Sequence, residues 1–204
     1  EQLMKPVTLA PRSTAIDRLR GCFSSGFPAQ SPVEEGVPSG PLTPAAVLFP
    51  IVLRDPEPTV LLTRRTDHLH HHPGQVSFPG GRVEEQDTSP IDTALRETEE
   101  EISLHRRHIE LLGCLPLYRT GTGFEVTPVI GLVTPPFELV PDSFEVAEVF
   151  EVPLAFLLDP ANHQTHTIEV RGQLRQYYAM PYGDHFIWGA TAGMIVSLQR
   201  FVSR

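Results

Sequence analysis

The sequence predicts an α/β domain, a mixed β-sheet layered with two or three helices. Three observations lead there. Short apolar segments rich in β-branched residues recur between residues 45 and 181, separated by turns bearing Pro or Gly. Two other segments, 89–102 and 189–201, carry apolar residues at helical spacing. Helical and extended segments are interleaved along the chain, without an internal repeat.

The elements follow in order. Residues 12–23 read as a short amphipathic helix with Ile16, Leu19 and Phe23 on one side. Residues 26–44 hold Pro28, Pro32, Pro38, Pro41 and Pro44 among Ser and Gly. Proline fixes φ and lacks an N–H, so this stretch is expected to be an extended connector or arm. The expected organisation is therefore a helix and Pro-rich arm over 1–44 and a folded domain over 45–204. Ala45–Leu53 is a buried strand, with Pro50 marking an edge or bulge. Asp55–Pro58 is a turn and Thr59–Arg64 a second strand. A polar loop then carries four of the nine histidines, His68, His70, His71 and His72. Gln75–Phe78 is a short strand running into a glycine turn at Pro79, Gly80 and Gly81.

The next helix has a well-marked start. Ser89 is the N-cap, Pro90 suits the first helical position, and Asp92 completes a capping box. Ile91, Ala94, Leu95, Thr98 and Ile102 form its buried stripe. Further strands are expected at 110–118, 125–133, 148–152, 165–170 and 174–181, with a hairpin turn at Arg171, Gly172 and Gln173. Residues 153–158 read as a short helix and 189–201 as a closing amphipathic one.

Composition bounds the function. Asp and Glu number 25 against 16 Lys and Arg, a formal net charge of -9, which lacks the basic footprint of a general nucleic-acid binder. Cys22 and Cys114 belong to no CxxC pattern and read as reduced core thiols of a cytoplasmic protein. No apolar run approaches the ~18 residues of a spanning helix. The start at Glu1 is not a signal peptide, and its lack of Met points to a trimmed chain. The expected partner is a small phosphorylated molecule, with a homodimer open; neither nucleic acid nor membrane is expected.

Glu97, Glu100 and Glu101 stand at i, i+3 and i+4 and share one helix face, about 115° from the apolar stripe. Like charges so spaced repel, and the repulsion grows if they are partly buried. Mg²⁺ or Mn²⁺ removes that penalty, because hard cations take oxygen ligands. Arg96 is placed to pair with a turn carboxylate such as Asp87, and Gly80 and Gly81 can bring bare backbone to a ligand. The histidine cluster is also a candidate transition-metal site, although no matching carboxylate or cysteine spacing accompanies it. Tyr177, Tyr178 and Trp188 are expected to pack in the sheet or core, with stacking on a base as the alternative.

These residues resemble the Nudix box, G-x5-E-x7-R-E-U-x-E-E-x-G-U with U aliphatic. Gly81 opens it, Asp87 takes the first acidic position, and Arg96, Glu97, Glu100 and Glu101 match the core. Eight residues rather than seven separate Asp87 from Arg96, and Thr98 and Ser103 replace an aliphatic residue and a glycine. The insertion precedes the helix cap, where a loop can absorb it. An upstream pattern, Leu61, Leu62, Thr63, Arg65, Thr66, His70, Gly74 and Phe78 to Gly81, is similar to that of the coenzyme A pyrophosphatase branch, with His70 in place of an arginine and Thr66 in place of Ser or Ala. Segments 145–148 and 188–191 also resemble this branch.

The resemblance implies a Nudix-type α/β/α sandwich with a mixed β-sheet. It implies Mg²⁺ or Mn²⁺ held by Glu97 and Glu101, with Glu100 as a further ligand or the base and the Gly80 carbonyl beside them. Arg96 would support this catalytic set, and Glu145 is a second candidate base. Arg64, Arg65, His70, Gly74 and Arg82 are the candidate substrate contacts. Water is the expected nucleophile, and the implied reaction converts coenzyme A to 3′,5′-ADP and 4′-phosphopantetheine. A Nudix hydrolase of ADP-ribose, a dinucleotide or a nucleoside triphosphate is the nearest alternative, and a non-catalytic nucleotide-binding Nudix domain the next.

Overall fold

The computed structural model describes residues 11–25, 31–36, 40–70 and 74–204. The sheet is built on two long parallel strands, β2 (Thr43–Val52) and β8 (Phe124–Val133), paired over their full lengths. Between β1 (Val33–Glu34) and β2 lies a short connection; β3 (Thr59–Arg65) follows β2 and pairs antiparallel with its end. β4 (Val76–Ser77) continues beyond β3, and β5 (Gly80–Arg82) returns to pair with Ala45–Val47 of β2. β6 (Ile109–Cys114) and β7 (Tyr118–Arg119) both pair antiparallel with β8, β1 pairs parallel with β7, and β9 (Val146–Pro153) pairs antiparallel with β3. The mixed sheet follows from this combination of parallel and antiparallel partners. A second antiparallel sheet contains β10 (Gln164–Val170), β11 (Gln173–Tyr182) and β12 (His185–Trp188).

Alternation along the central strands explains why they read as continuous apolar runs. On β2, Ala46 and Leu48 face α2 (Pro90–Ile102), packing with Ala94 and Val129. Ala45, Phe49 and Ile51 face the other way, into a cluster shared with α1 (Pro11–Ser24), α3 (Leu154–Leu157) and α4 (Ala190–Val202). Both faces of the sheet are thus covered, which removes the polar side of the pattern. The architecture is an α/β/α sandwich. Ile16, Leu19 and Phe23 form the buried side of α1, and Phe23 meets Phe201 of α4 with ring centroids 4.8 Å apart.

Three details differ from the sequence reading. Pro50 lies in an interior strand, paired with Gly131 of β8. Its missing N–H does no harm because it falls between the stretch of β2 that pairs with β5 and the stretch that pairs with β3. The strand-forming part of the arm reaches further than expected, since Thr43 and Pro44 already pair with Phe124 and Glu125. Gly80 and Gly81 form a strand instead of a turn. Gly80 is needed there for close approach, since a Cβ would stand 2.7 Å from Val47 Cα, whereas one at Gly81 would meet the end of the Glu97 side chain, 2.6 Å from Cδ.

Helix α4 is pinned to β7 in a similar way. A Cβ at Gly193 would stand 2.6 Å from Tyr118 Cζ. Helix propensity alone would make Gly193→Ala stabilising by about 1 kcal/mol. Overpacking against the buried Tyr118 ring is expected to win, giving a net loss of about 1–3 kcal/mol, read as a lower urea midpoint at unchanged m-value.

Candidate active site

Helix α2 begins as its sequence dictates. Ser89 Oγ accepts from the Asp92 N–H at 3.2 Å, and Pro90 occupies the first turn. The return bond of the capping box is displaced by one residue: Asp92 Oδ2 accepts from the Thr88 N–H, at 3.2 Å. At the other end Ser103 takes the left-handed conformation, φ 59°, and its N–H donates to the Glu99 carbonyl. A glycine reaches that conformation without steric cost, and Ser103 holds it through the cap and a bond from Oγ to the Val140 carbonyl at 3.1 Å.

Arg96 ties the loop to the helix. Its Nε donates to Asp87 Oδ1 at 2.7 Å and its Nη2 to Asp87 Oδ2 at 3.0 Å. Nη1 reaches Glu97 Oε1 at 3.1 Å and Glu100 Oε2 at 3.2 Å, and Nη2 also reaches the Arg82 carbonyl at 3.3 Å. Asp87 further accepts from the Glu84 N–H and the Thr93 hydroxyl, each at 2.8 Å. The guanidinium and these donors hold its carboxyl well below the usual carboxylate range. The shorter Asp and the extra loop residue therefore compensate each other, and the bidentate pair forms.

The three glutamates divide by angle. At about 100° per residue, Glu97 and Glu101 lie some 40° apart, while Glu100 falls about 60° to the other side of Glu97. Glu101 is accordingly buried at 5% exposure against β5, Glu97 is mostly covered, and Glu100 is exposed and turned to Arg96. The three thus share one broad face but differ in depth along it. Burial, reinforced by Glu97 and Glu145, pushes the Glu101 carboxyl up to about 8, with Arg65 and the Gly80 N–H opposing. Burial pushes Glu97 up to about 7, Arg96 opposing and Glu100 and Glu145 adding to the rise. Glu145, exposed and from a distant part of the chain, lies near enough to the α2 pair to act on both electrostatically.

Thr66 secures it there. The Thr66 N–H donates to the Glu145 carbonyl at 3.0 Å and its hydroxyl to the Phe144 carbonyl at 2.6 Å. The Asp142 N–H donates to the Glu101 carbonyl at 2.7 Å, so the same loop is bonded to α2. On the far side of β5 lies a cleft of about 290 Å³, whose walls include Arg65, Gln75, Gly80, Gly81, Arg82 and Thr120. Arg65 Nε is buried there and makes no hydrogen bond. The acids and the basic cleft therefore share the glycine strand as a common wall.

The NUDIX domain family profile matches residues 43–169. A protein of Yersinia enterocolitica described as an uncharacterized Nudix hydrolase, NudL, is 44% identical over 181 residues, covering 89% of this chain and 92% of that one. The chain belongs to the Nudix family. NudL of an Escherichia coli O7:K1 strain, described in the same words, is 45% identical over 154 residues, 76% of this chain and 80% of that one. Among solved structures, the Nudix hydrolase RenU of M. Smegmatis aligns with a TM-score of 0.48 at 21% identity, over 63% of this chain and 81% of that one. The Nudix assignment makes this protein a hydrolase of nucleoside diphosphate derivatives, a class that uses divalent cations.

A hard cation suits the α2 face of this Nudix domain. Buried Glu101 and half-buried Glu97 present carboxylate oxygens there, Glu97 already bonded to Arg96, and Gly81 leaves the room that a Cβ would fill. Among the described residues no group of three or more His, Cys, Asp or Glu side chains is placed to hold a metal ion.

The remaining candidates are distributed unevenly. Arg65 and Arg82 line the cleft, and Arg82 also lies over the Phe124 ring, 5.6 Å from its centroid. Arg64 points elsewhere, to Glu148 at 3.5 Å, its partner across β3 and β9, because consecutive strand residues face opposite ways. Glu148 in turn takes His185 at 3.0 Å. Gly74 adopts φ +68°, and a Cβ there would meet Asp67 Oδ1 at 2.8 Å, so its described role is to close a turn. His70 is exposed, His68 packs on the Phe144 ring at 4.7 Å, and His71 and His72 lie outside the described residues. Tyr177 meets Trp188 edge-on at 5.5 Å, and Tyr178 accepts from Arg200 at 3.0 Å. Sequence reasoning missed Gln75, Thr120 and the anchoring role of Thr66. Only a contact between segments nearly 80 residues apart reveals the last. No helix among the described residues is long and apolar enough to cross a membrane.

Proposed function

We propose that this Nudix protein is a metal-dependent pyrophosphatase that splits the diphosphate of coenzyme A or its derivatives into 3′,5′-ADP and 4′-phosphopantetheine or its acyl form. The observation that carries the reading is the glycine strand standing between a buried acid group and an arginine-lined cleft. The upstream 61–81 pattern supports coenzyme A within the family. Mg²⁺ or Mn²⁺ would be held by Glu97 and Glu101, with Glu100 and the Gly80 carbonyl at its margin. Bound there, the cation supplies Lewis-acid stabilisation of the charge developing on the diphosphate.

The chain's own groups supply orientation and proton transfer. Arg65 and Arg82 face the cleft and would pair with phosphate oxygens. Arg96 holds the helix and loop in register. Glu145, fixed by Thr66, is our candidate to take a proton from the attacking water at its carboxylate; Glu100 is the alternative. We place this activity in the cytoplasm with a small molecule as partner, and a homodimer as the assembly to test.

Incubation with coenzyme A, ADP-ribose and a dinucleotide, each with Mg²⁺ or Mn²⁺, tests the proposal when products are identified by mass. We expect 3′,5′-ADP and 4′-phosphopantetheine from coenzyme A at the highest kcat/KM of the set. Preference for ADP-ribose would move the protein to another Nudix specificity. Tight binding without phosphate-bond cleavage would make it a binding domain.

A further inference from the structure

We propose that Glu35, in the proline-rich N-terminal segment, is a positioning residue that sets one wall of the substrate cleft. The inference rests on the cleft being the substrate site, as read above. Its physical basis is a clamp made by both oxygens of one carboxylate. Glu35 Oε1 accepts from the Tyr118 hydroxyl at 2.7 Å, and Oε2 accepts from the Gly121 N–H at 3.1 Å.

The segment around Glu35 is held as a strand. β1 pairs parallel with β7: the Val33 N–H donates to the Leu117 carbonyl at 2.8 Å and the Glu35 N–H to the Arg119 carbonyl at 3.1 Å. Arg119 adds a second cross-link, to Glu34 at 2.8 Å and Glu125 at 3.0 Å. Glu34 lies at the surface, whereas Glu35 reaches inward to a tyrosine only 3% exposed.

What the clamp grips is the turn joining β7 to β8. The Thr120 N–H donates to the Phe124 carbonyl at 2.8 Å, the Phe124 N–H to Thr120 Oγ1 at 3.0 Å, and the Gly123 N–H to the Thr120 carbonyl at 3.2 Å. Thr120, Thr122 and Phe124 of this turn line the cleft together with Arg65, and Phe124 carries the Arg82 guanidinium on its ring. A chain of direct contacts therefore runs from Glu35 through Gly121 to the Thr120–Phe124 wall and to a phosphate-facing arginine. A segment whose composition reads as a connector thus braces one wall of the cleft.

The role predicts a separation of kinetic constants, because the clamp touches the cleft wall and not the acids of α2. Glu35→Ala, which removes both bonds of the clamp, is expected to raise KM for coenzyme A about tenfold. Its kcat at saturating Mg²⁺ should stay within about twofold. Amide exchange should accelerate at Gly121 and Phe124 and remain unchanged at Glu97 and Glu101. Glu35→Gln keeps one acceptor oxygen and should recover part of both effects. If Glu35→Ala does not fold, Glu35→Gln and Tyr118→Phe carry the test, each expected to show a smaller rise in KM.

Unchanged exchange at Gly121 and Phe124 in these variants would overturn the clamp whatever the substrate. Faster exchange with unchanged KM, or a fall in kcat alone, would overturn its role in the cleft. Absence of turnover by the unmodified chain on every diphosphate would overturn the proposed function instead. The cleft role would then be decided by coenzyme A affinity with Mg²⁺, measured by calorimetry on the same variants. Weaker binding together with faster exchange upholds it, and equal binding refutes it.

Discussion

Glu101→Gln is expected to lower kcat on the diphosphate substrate by about a thousandfold or more while leaving the protein folded. The loss follows from the several kcal/mol of charge stabilisation that a bound cation contributes, at about 1.4 kcal/mol per factor of ten. The fold should survive because Gln has nearly the shape of Glu and, like the protonated carboxyl that burial favours, carries no charge. Turnover at saturating Mg²⁺ checks the first part; a retained full rate would remove Glu101 from the metal site.

The pH dependence of the same variant gives an independent reading. In the folded chain Glu97 titrates at about 7 and Glu101 at about 8, against an ordinary value of 4.5. Between those values the folded state binds more protons than the unfolded one, so stability falls as pH rises. The contribution is fully present below the ordinary value and is lost as pH passes through the raised ones. In EDTA the thermal midpoint is thus expected to decline between about pH 5 and pH 8.5, and Glu101→Gln should flatten the decline. Mg²⁺ added at the alkaline end should restore the midpoint of the parent and do much less for the variant, since a ligand that binds the folded state stabilises it.

How much of this was legible depends on whether the cause was local. Helix α2 could be read from Ser89, Pro90 and the stripe Ala94, Leu95, Thr98 and Ile102, because caps and periodicity act within a turn or two. The long strands were legible because a sheet covered on both faces leaves an unbroken apolar run. β1, β7 and β12 were not read as separate strands, since two to four residues carry no period and their pairing partners decide them. Gly80 and Gly81 announced a special backbone, but a turn and a close-packed strand use the same residue for different reasons. Within the site, the spacing of Glu97 and Glu101 was visible, whereas the burial that separates Glu101 from Glu100 depends on where β5 lies. Glu145 was reached through the family resemblance, and the anchoring of its backbone at Thr66 only through the fold.

Arg96→Ala carries the other large effect, about a hundredfold in kcat, although the arginine faces no cleft. Its guanidinium meets Asp87, Glu97, Glu100 and the Arg82 carbonyl at once, so its removal frees the glutamates, the loop and the end of β5 together. A misplacement of about 1 Å in a catalytic arrangement is enough for a loss of that size. Arg96→Lys should rescue little, because an ammonium cannot make the parallel pair of bonds to Asp87. Acid unfolding separates this account from a simple loss of structure. Asp87 is held below its ordinary 3.8, so its contribution to stability is present above that value and lost only as pH falls through the depressed one. Without Arg96, the leading cause of the depression, the acid midpoint should move to higher pH. A variant with full kcat and a shifted acid midpoint would mean that the Asp87–Arg96 pair secures the loop and that Glu97 and Glu101 find their geometry from burial against β5 alone.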